Sequence, residues 1–372
     1  MLEVETLDEL RASVHQTVEA NRGVLEGALE QVKALNNDFR VLKPRTITSF
    51  SMVASDGGHN KIEFNPFSLT VVRVVDSKGK ELFSDCVSPA TDIDALARHN
   101  LEADTTVGRL MKGLGIEHLP DLSTALNPKD NSTGWVTVYR DICEWAALYD
   151  SIVNRDHANS TIFVRDGMLR TKVFNKDLFF QMYKQILEAI ERNRRDEKVD
   201  LFLVGVAKHS EVHTYYELAM TAAGQLPVGQ PCFAPIPDEM QKTVYKWPEY
   251  LRPPDESLPG EPPKYNGGAM HFVRFGPSTG DRIWTVDVLY DQRDRAEEVL
   301  ACLVGDARDG FPIPHYPLCL QRADANAQIA GFDRSILADY LEDAIRDVLP
   351  TNATHAVDAM RLNVDPTARR YS

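Results

Sequence analysis

Two aspartates stand where an apolar run meets glycine. Asp56 follows Ile47 to Ser55 (ITSFSMVAS) and precedes Gly57-Gly58, and Asp166 follows Thr161 to Arg165 (TIFVR) and precedes Gly167. If each run is a strand, each carboxylate closes it at a sheet edge, where the backbone turns and another molecule can approach. A third acid, Glu144, falls in a helical stretch, Tyr139 to Val153, just ahead of the Asp166 strand. Three acids so placed can hold divalent ions about 3.5–4 Å apart for in-line attack on a phosphodiester. Lys208 follows the run LFLVGVA, which would set its ammonium beside the same acids. There it can position the attacking water or neutralise charge in the transition state. Taken singly, an Asp-Gly pair is a turn and a strand-end lysine reaches solvent; the combination is what points to chemistry.

The elements that must carry these residues follow from periodicity. Ile47 to Ser55, Phe67 to Asp76 (FSLTVVRVVD) and Glu81 to Val87 (ELFSDCV), with turns at Asn65-Pro66 and Lys78-Gly79-Lys80, read as a three-strand meander whose first strand ends at Asp56. The helix Tyr139 to Val153, the strand Thr161 to Arg165, a helix from Lys176 to Arg195 and the strand Asp200 to Ala207 come next. That order is α/β and RNase H-like. Before it, Leu7, Leu10, Val14, Val18, Leu25, Leu29, Val32 and Leu35 predict one amphipathic helix, with Gly23 and Gly27 weakening its middle. Such a helix either packs on its own domain or serves as a dimerisation arm. Nine prolines between Gln230 and Gly268 predict an insertion or lid that sustains no long helix or central strand. A hairpin, Met270 to Phe275 with Ile283 to Tyr290, and helices over Asp294 to Val304 and Leu320 to Val348 complete the chain. The organisation expected is an N-terminal helical arm over 1–45, an α/β domain over 46–350 interrupted at 230–268, and a tail over 351–372.

Composition narrows the classes. The 372 residues carry 41 Lys+Arg against 55 Asp+Glu, a net charge of −14, with 43% hydrophobic residues. This is a soluble globular composition, and any polyanion site must be local. One such locality is Arg165 to Lys208, where ten Lys/Arg outnumber seven Asp/Glu; a solvated helix face accounts for most of that excess. No run of about 18 apolar residues and no basic-then-apolar leader occurs, so a cytoplasmic protein without a membrane span is expected. Cys86, Cys143, Cys232, Cys302 and Cys319 form no C-x-x-C pair, which argues for buried thiols. Gly276-Pro277-Ser278-Thr279-Gly280 matches G-x-S-x-G but lies between two strands, where no nucleophile elbow forms. His209 and His213 have i, i+4 spacing, yet Ser210 replaces the glutamate of H-E-x-x-H. No phosphate-binding glycine loop is present.

Four blocks in order, SFSMVASDGG, TIFVRDGML, LFLVGVAKHS and PIPHYPLCLQRADANAQIA, resemble those of the NurA nuclease family over Ile47 to Ala330. The resemblance implies an RNase H-like core and a homodimer. It further implies Mn2+-dependent, with Mg2+ as the alternative, cleavage of single- and double-stranded DNA with 5′ to 3′ exonuclease and endonuclease character. A hexameric HerA-type ATPase partner, acting in DNA-end processing or anti-phage defence, belongs to the same implication. By position, Asp56, Glu144 and Asp166 match the family's metal-binding acids, Lys208 its lysine, and Tyr316 its late tyrosine. Two positions depart from the pattern. Gly58 stands where the family has serine, and Asp324 stands where it has histidine, which would give an oxygen ligand and favour harder ions. His315, beside Tyr316, is either a substitute for that histidine or, the preferred reading, a loop histidine. Two other readings compete: a non-catalytic DNA-clamping scaffold of the same fold, favoured by Gly58 and Asp324, and an actin-like ATPase. The latter is disfavoured by the bulky Met168-Leu169-Arg170 after Asp166.

Overall fold

In Phe67–Asp76 the side chains of Thr70, Val72 and Val74 turn inward at every second position, the period of a strand with one buried face. Strands built this way organise the computed structural model, which describes residues 4–45, 50–64, 66–126, 134–175, 177–224, 226–245, 265–329, 331–350 and 354–357. They are Arg40–Val41 (β1), Ser51–Phe64 (β2), Phe67–Asp76 (β3), Glu81–Val87 (β4), Thr161–Asp166 (β5), Arg170–Thr171 (β6), Leu201–Ala207 (β7), Cys232–Pro235 (β8), Tyr265–Asn266 (β9), Gly268–Arg274 (β10) and Ile283–Leu289 (β11). The main sheet runs β1-β8-β10-β11-β7-β5-β2-β3-β4, and β6 pairs with β9 apart from it. The meander β2-β3-β4 is antiparallel, and β5 and β7 join parallel to β2. This is the RNase H-like arrangement, extended beyond β7 by antiparallel β11, β10, β8 and β1.

Helices cover both faces: Val4–Ala20 (α1), Arg22–Ala34 (α2), Ile93–Glu102 (α3), Thr106–Leu114 (α4), Leu119–Leu122 (α5), Gly134–Val153 (α6), Leu178–Arg192 (α7), Glu211–Ala223 (α8), Asp238–Val244 (α9), Ala296–Ala307 (α10), Leu318–Ala327 (α11) and Gly331–Val348 (α12). On one face α3, α4, α6 and α7 build a core around Tyr139, Trp145, Phe179 and Leu203. On the other, α10 and α11 close over Ala54, Val164, Val206 and Val286. Because β5, β7 and β11 are covered on both sides, they are buried at nearly every position rather than at alternating ones. Among the described residues no helix is long and apolar enough to cross a membrane.

Four expectations change. The first meander strand does not end at Asp56. It continues through Gly57-Gly58 to Phe64, because β3 pairs with it in register from Ser55↔Asp76 to Phe64↔Phe67, while its predicted residues 47–49 lie outside the described ones. The N-terminal helix breaks at Asn21, whose side-chain amide donates to the Thr17 carbonyl at 2.8 Å. Gly23 and Gly27 sit inside α2 without interrupting it. Ala28, Val32 and Leu35 pack against α8, whereas Leu7, Leu10, Val14 and Val18 of α1 stay exposed. The last predicted helix is two, α11 and α12. The proline-rich stretch supplies a sheet strand, β8, and a short helix, α9. Pro231 and Pro235 fall just before β8 and at its last residue, so the interior of the ladder keeps its N–H donors. The prolines between 248 and 263 lie outside the described residues.

Candidate metal centre

Parallel pairing of β2 with β5 sets Ser55 opposite Arg165. The next residues, Asp56 and Asp166, therefore stand side by side where the β2–β5 ladder stops. On β7 the partner of Asp166 is Val206, so Lys208 projects one pleat further out on the same face. That face is covered by α11, which brings Asp324. One carboxylate oxygen from each of Asp56, Asp166 and Asp324 lies within 4.8 Å of the others. Lys208 Nζ bridges two of the acids, 2.7 Å from Asp166 Oδ2 and 2.8 Å from Asp324 Oδ1. Asp324 thus turns into the cluster.

The electrostatics follow from this crowding. Burial, then the charge of Asp166, push the Asp56 carboxyl up to about 6, with Lys208 working against the shift. Burial alone would lower Lys208, but its ion pairs to Asp166 and Asp324 outweigh that and hold it above the usual lysine range, so it stays charged. Three acids share one ammonium, which leaves the centre short of positive charge. Beside it, the Tyr316 ring is fully buried and lies 4.4 Å from Trp284. Its hydroxyl is buried with no hydrogen-bond partner. Burial first, and the nearby Asp166, keep that phenol protonated.

Glu144 does not join the three acids. It rises from α6 on the opposite face of β2 and lies over Gly57, where a Cβ would come within 2.5 Å of its Oε1. Arg140 Nε at 3.3 Å and Arg165 Nη2 at 3.4 Å flank it. Burial nevertheless pushes its carboxyl to about 8. Gly58, on the Asp56 face, meets the carbonyl of Ala327 at the end of α11. Each glycine of the pair therefore gives close passage to a different helix.

The loop after Asp166 is held from beneath by residues that the sequence reading passed over. Gly167 adopts φ 115°, outside the comfortable range of other residues. Gly205 of β7 leaves room for the Gly167–Leu169 backbone to cross it. The fully buried Asp287 accepts from Leu169 N at 3.0 Å and from Arg170 Nε at 3.2 Å. Arg165 donates to the Met168 carbonyl at 2.9 Å. One aspartate in the otherwise apolar IWTVDVLY was a legible signal, since a buried acid there requires a fixed partner.

Gly276–Gly280 is the β10–β11 connection, and His315, at φ 53°, packs against Gly276. His213 is buried, with Nε2 3.8 Å from Glu217. Among the described residues no three-ligand group other than the three aspartates forms. All five cysteines are free; four are buried as expected, whereas Cys86 on β4 is exposed.

No family model and no curated protein matches the chain. Among solved structures it is similar to the NurA nuclease from Sulfolobus solfataricus, with 13% identity, 94% of this chain and 99% of that one covered, and a TM-score of 0.43. A NurA bound to dAMP and manganese is similar at 12% identity, with 94% and 98% covered and a TM-score of 0.40. Endonuclease V from Bacillus subtilis shares 10% identity, with 84% and 91% covered and a TM-score of 0.27. Likeness this distant assigns no residue a role, and the RNase H-like arrangement rests on the strand order itself.

Proposed function

We propose that the chain is a metal-dependent deoxyribonuclease whose ion is held by Asp56, Asp166 and Asp324. The observation that carries this reading is the convergence of three carboxylates within 4.8 Å, with Lys208 closing one side. The donor set is all oxygen and short of positive charge, and a buried unpartnered phenol stands beside it; both fit a divalent cation with bound water or phosphate. Such an ion supplies Lewis-acid polarisation of a phosphoryl oxygen and a more acidic water. Lys208 neutralises charge that develops on the phosphate, and the Tyr316 hydroxyl donates to an oxygen entering the site. Glu144 reaches the same strand from the other face, and a role as fourth ligand requires its carboxylate to leave Arg140 and Arg165.

The finer reading rests on the four sequence blocks: Mn2+ or Mg2+ as the ion, single- and double-stranded DNA as substrate, and 5′ to 3′ exonuclease with endonuclease activity. A homodimer working with a HerA-type hexameric ATPase in end processing or anti-phage defence completes it. The exposed stripe Leu7, Leu10, Val14 and Val18 supports self-association. Light scattering should give about twice 41.8 kDa; a species of single mass at micromolar concentration would remove the dimer.

Metal binding should depend on pH in a stated direction. Because the Asp56 carboxyl titrates near 6, an ion arriving below that pH must displace its proton. Calorimetry with Mn2+ should therefore show affinity rising from pH 5 to 7, with proton release largest below 6. Asp324→Ala should weaken binding at least about tenfold. Equal affinity in the variant, or no pH dependence, would place the ion elsewhere.

A further inference from the structure

The geometry points to Arg282 as a phosphate-binding residue that extends the substrate track from the carboxylates along the sheet edge, an assignment that rests on the deoxyribonuclease reading. Register carries the argument. β11 pairs antiparallel with β7, with Val286 opposite Val206 and Thr285 opposite Ala207. Continuing that ladder outward places Trp284 beside Lys208, and cross-strand partners share a face. Asp56 and Asp166 therefore share one row, and Lys208 and Trp284 the next row outward, all on the side covered by α11. Arg282, two residues before Trp284, projects from the same face one pleat further out.

Its guanidinium is held in place without being neutralised. Arg282 Cζ lies 4.5 Å from the centre of the Trp284 ring. Its Nη2 donates to the Lys208 carbonyl at 3.1 Å. Trp284 also packs on Tyr316, so one indole ties the arginine to the phenol beside the acids. The adjacent carboxylate is engaged elsewhere, since Asp281 Oδ2 accepts from Ser278 N at 2.6 Å. Arg282 makes no ion pair among the described residues and is exposed. An exposed guanidinium that lies over an indole ring and is anchored through one N–H keeps its other N–H donors free for a bidentate oxyanion. Stacking on tryptophan lowers the entropy lost when that anion binds. In a chain of net charge −14, a positive group fixed outward of Lys208 favours a backbone phosphate that flanks the scissile one.

The test uses full-length protein and a fluorescent single-stranded oligonucleotide, with Ca2+ replacing Mn2+ so that binding is read without turnover. Arg282→Gln should reduce the magnitude of the log K against log salt slope by about 0.7, one phosphate contact on a single strand. In Mn2+ it should raise KM several-fold with kcat within about twofold, and Mn2+ affinity should not move. Arg282→Lys should keep the slope while recovering only part of the affinity, because an ammonium cannot make the bidentate contact. An unchanged slope and KM in Arg282→Gln, with wild type binding and cutting DNA, would overturn this assignment alone. A wild-type protein that neither binds nor cuts DNA would overturn the nuclease reading and this assignment with it.

Discussion

Asp56→Asn and Asp166→Asn are each expected to abolish cleavage of linear DNA in Mn2+, with losses of about three orders of magnitude or more and a retained fold. Each change keeps the size and shape of the side chain while removing half the charge that two adjacent strands present to one ion. The consequences for the apo protein run the other way. Burial already holds the Asp56 carboxyl at about 6, so above that pH its negative charge opposes folding. The sign follows from the raised value: a carboxyl that binds its proton more tightly when folded favours folding at low pH, and that contribution fades as pH rises from about 4 through 6. Asp56→Asn should thus leave the metal-free melting temperature at pH 7 unchanged or higher. Rate loss with unimpaired stability marks a functional acid, whereas rate loss through unfolding would mark a structural one. Near-normal turnover in either variant would show that the ion, if any, is held elsewhere.

Much of this centre was legible because parallel strands impose register. The runs ending at Asp56, Asp166 and Lys208 are mostly apolar, and once the strands are adjacent and parallel, the charged residues that close them must converge at one edge. What the sequence hid was where β2 ends. Gly57-Gly58 resembles a turn, but the pairing of β3 along ten residues of β2 keeps the pair extended. The side on which Glu144 would lie was equally hidden. Its helix is buried nearly all round, and only the path of α6 shows that Glu144 meets Gly57 from the face opposite Asp56. Trp284 and Arg282 escaped notice for another reason. Their meaning depends on an antiparallel strand, β11, whose position beside β7 no local pattern reveals.

Gly58→Ser, the change that would make the first block match the family pattern, is expected to damage the protein. A Cβ at this position would run into the carbonyl of Ala327, a backbone atom with no rotamer to adjust. The end of α11 that carries this carbonyl is also pinned. Arg73 Nη1 donates to the Asn326 carbonyl at 3.2 Å, and Asn326 Nδ2 to the Asp76 carbonyl at 3.4 Å. Serine must therefore lift the helix end off β2 and β3, at an overpacking cost of about 1–3 kcal/mol. Asp324 lies one turn back on that helix, so the displacement opens its contact with Lys208 and spreads the three acids. A shift of about 1 Å in such a site can cost on the order of 100-fold in rate. Gly27→Ala is the matched control: nothing lies within 4 Å of a Cβ there, and in the middle of α2 the change should stabilise by up to about 1 kcal/mol. The measurements are melting temperature, Mn2+ affinity and cleavage rate for the two variants. Serine at 58 should lower all three, while alanine at 27 raises only the first. A Gly58→Ser protein that binds Mn2+ and cuts DNA as well as wild type would mean that the end of α11 does not depend on the missing side chain, and that Asp324 is not positioned through it.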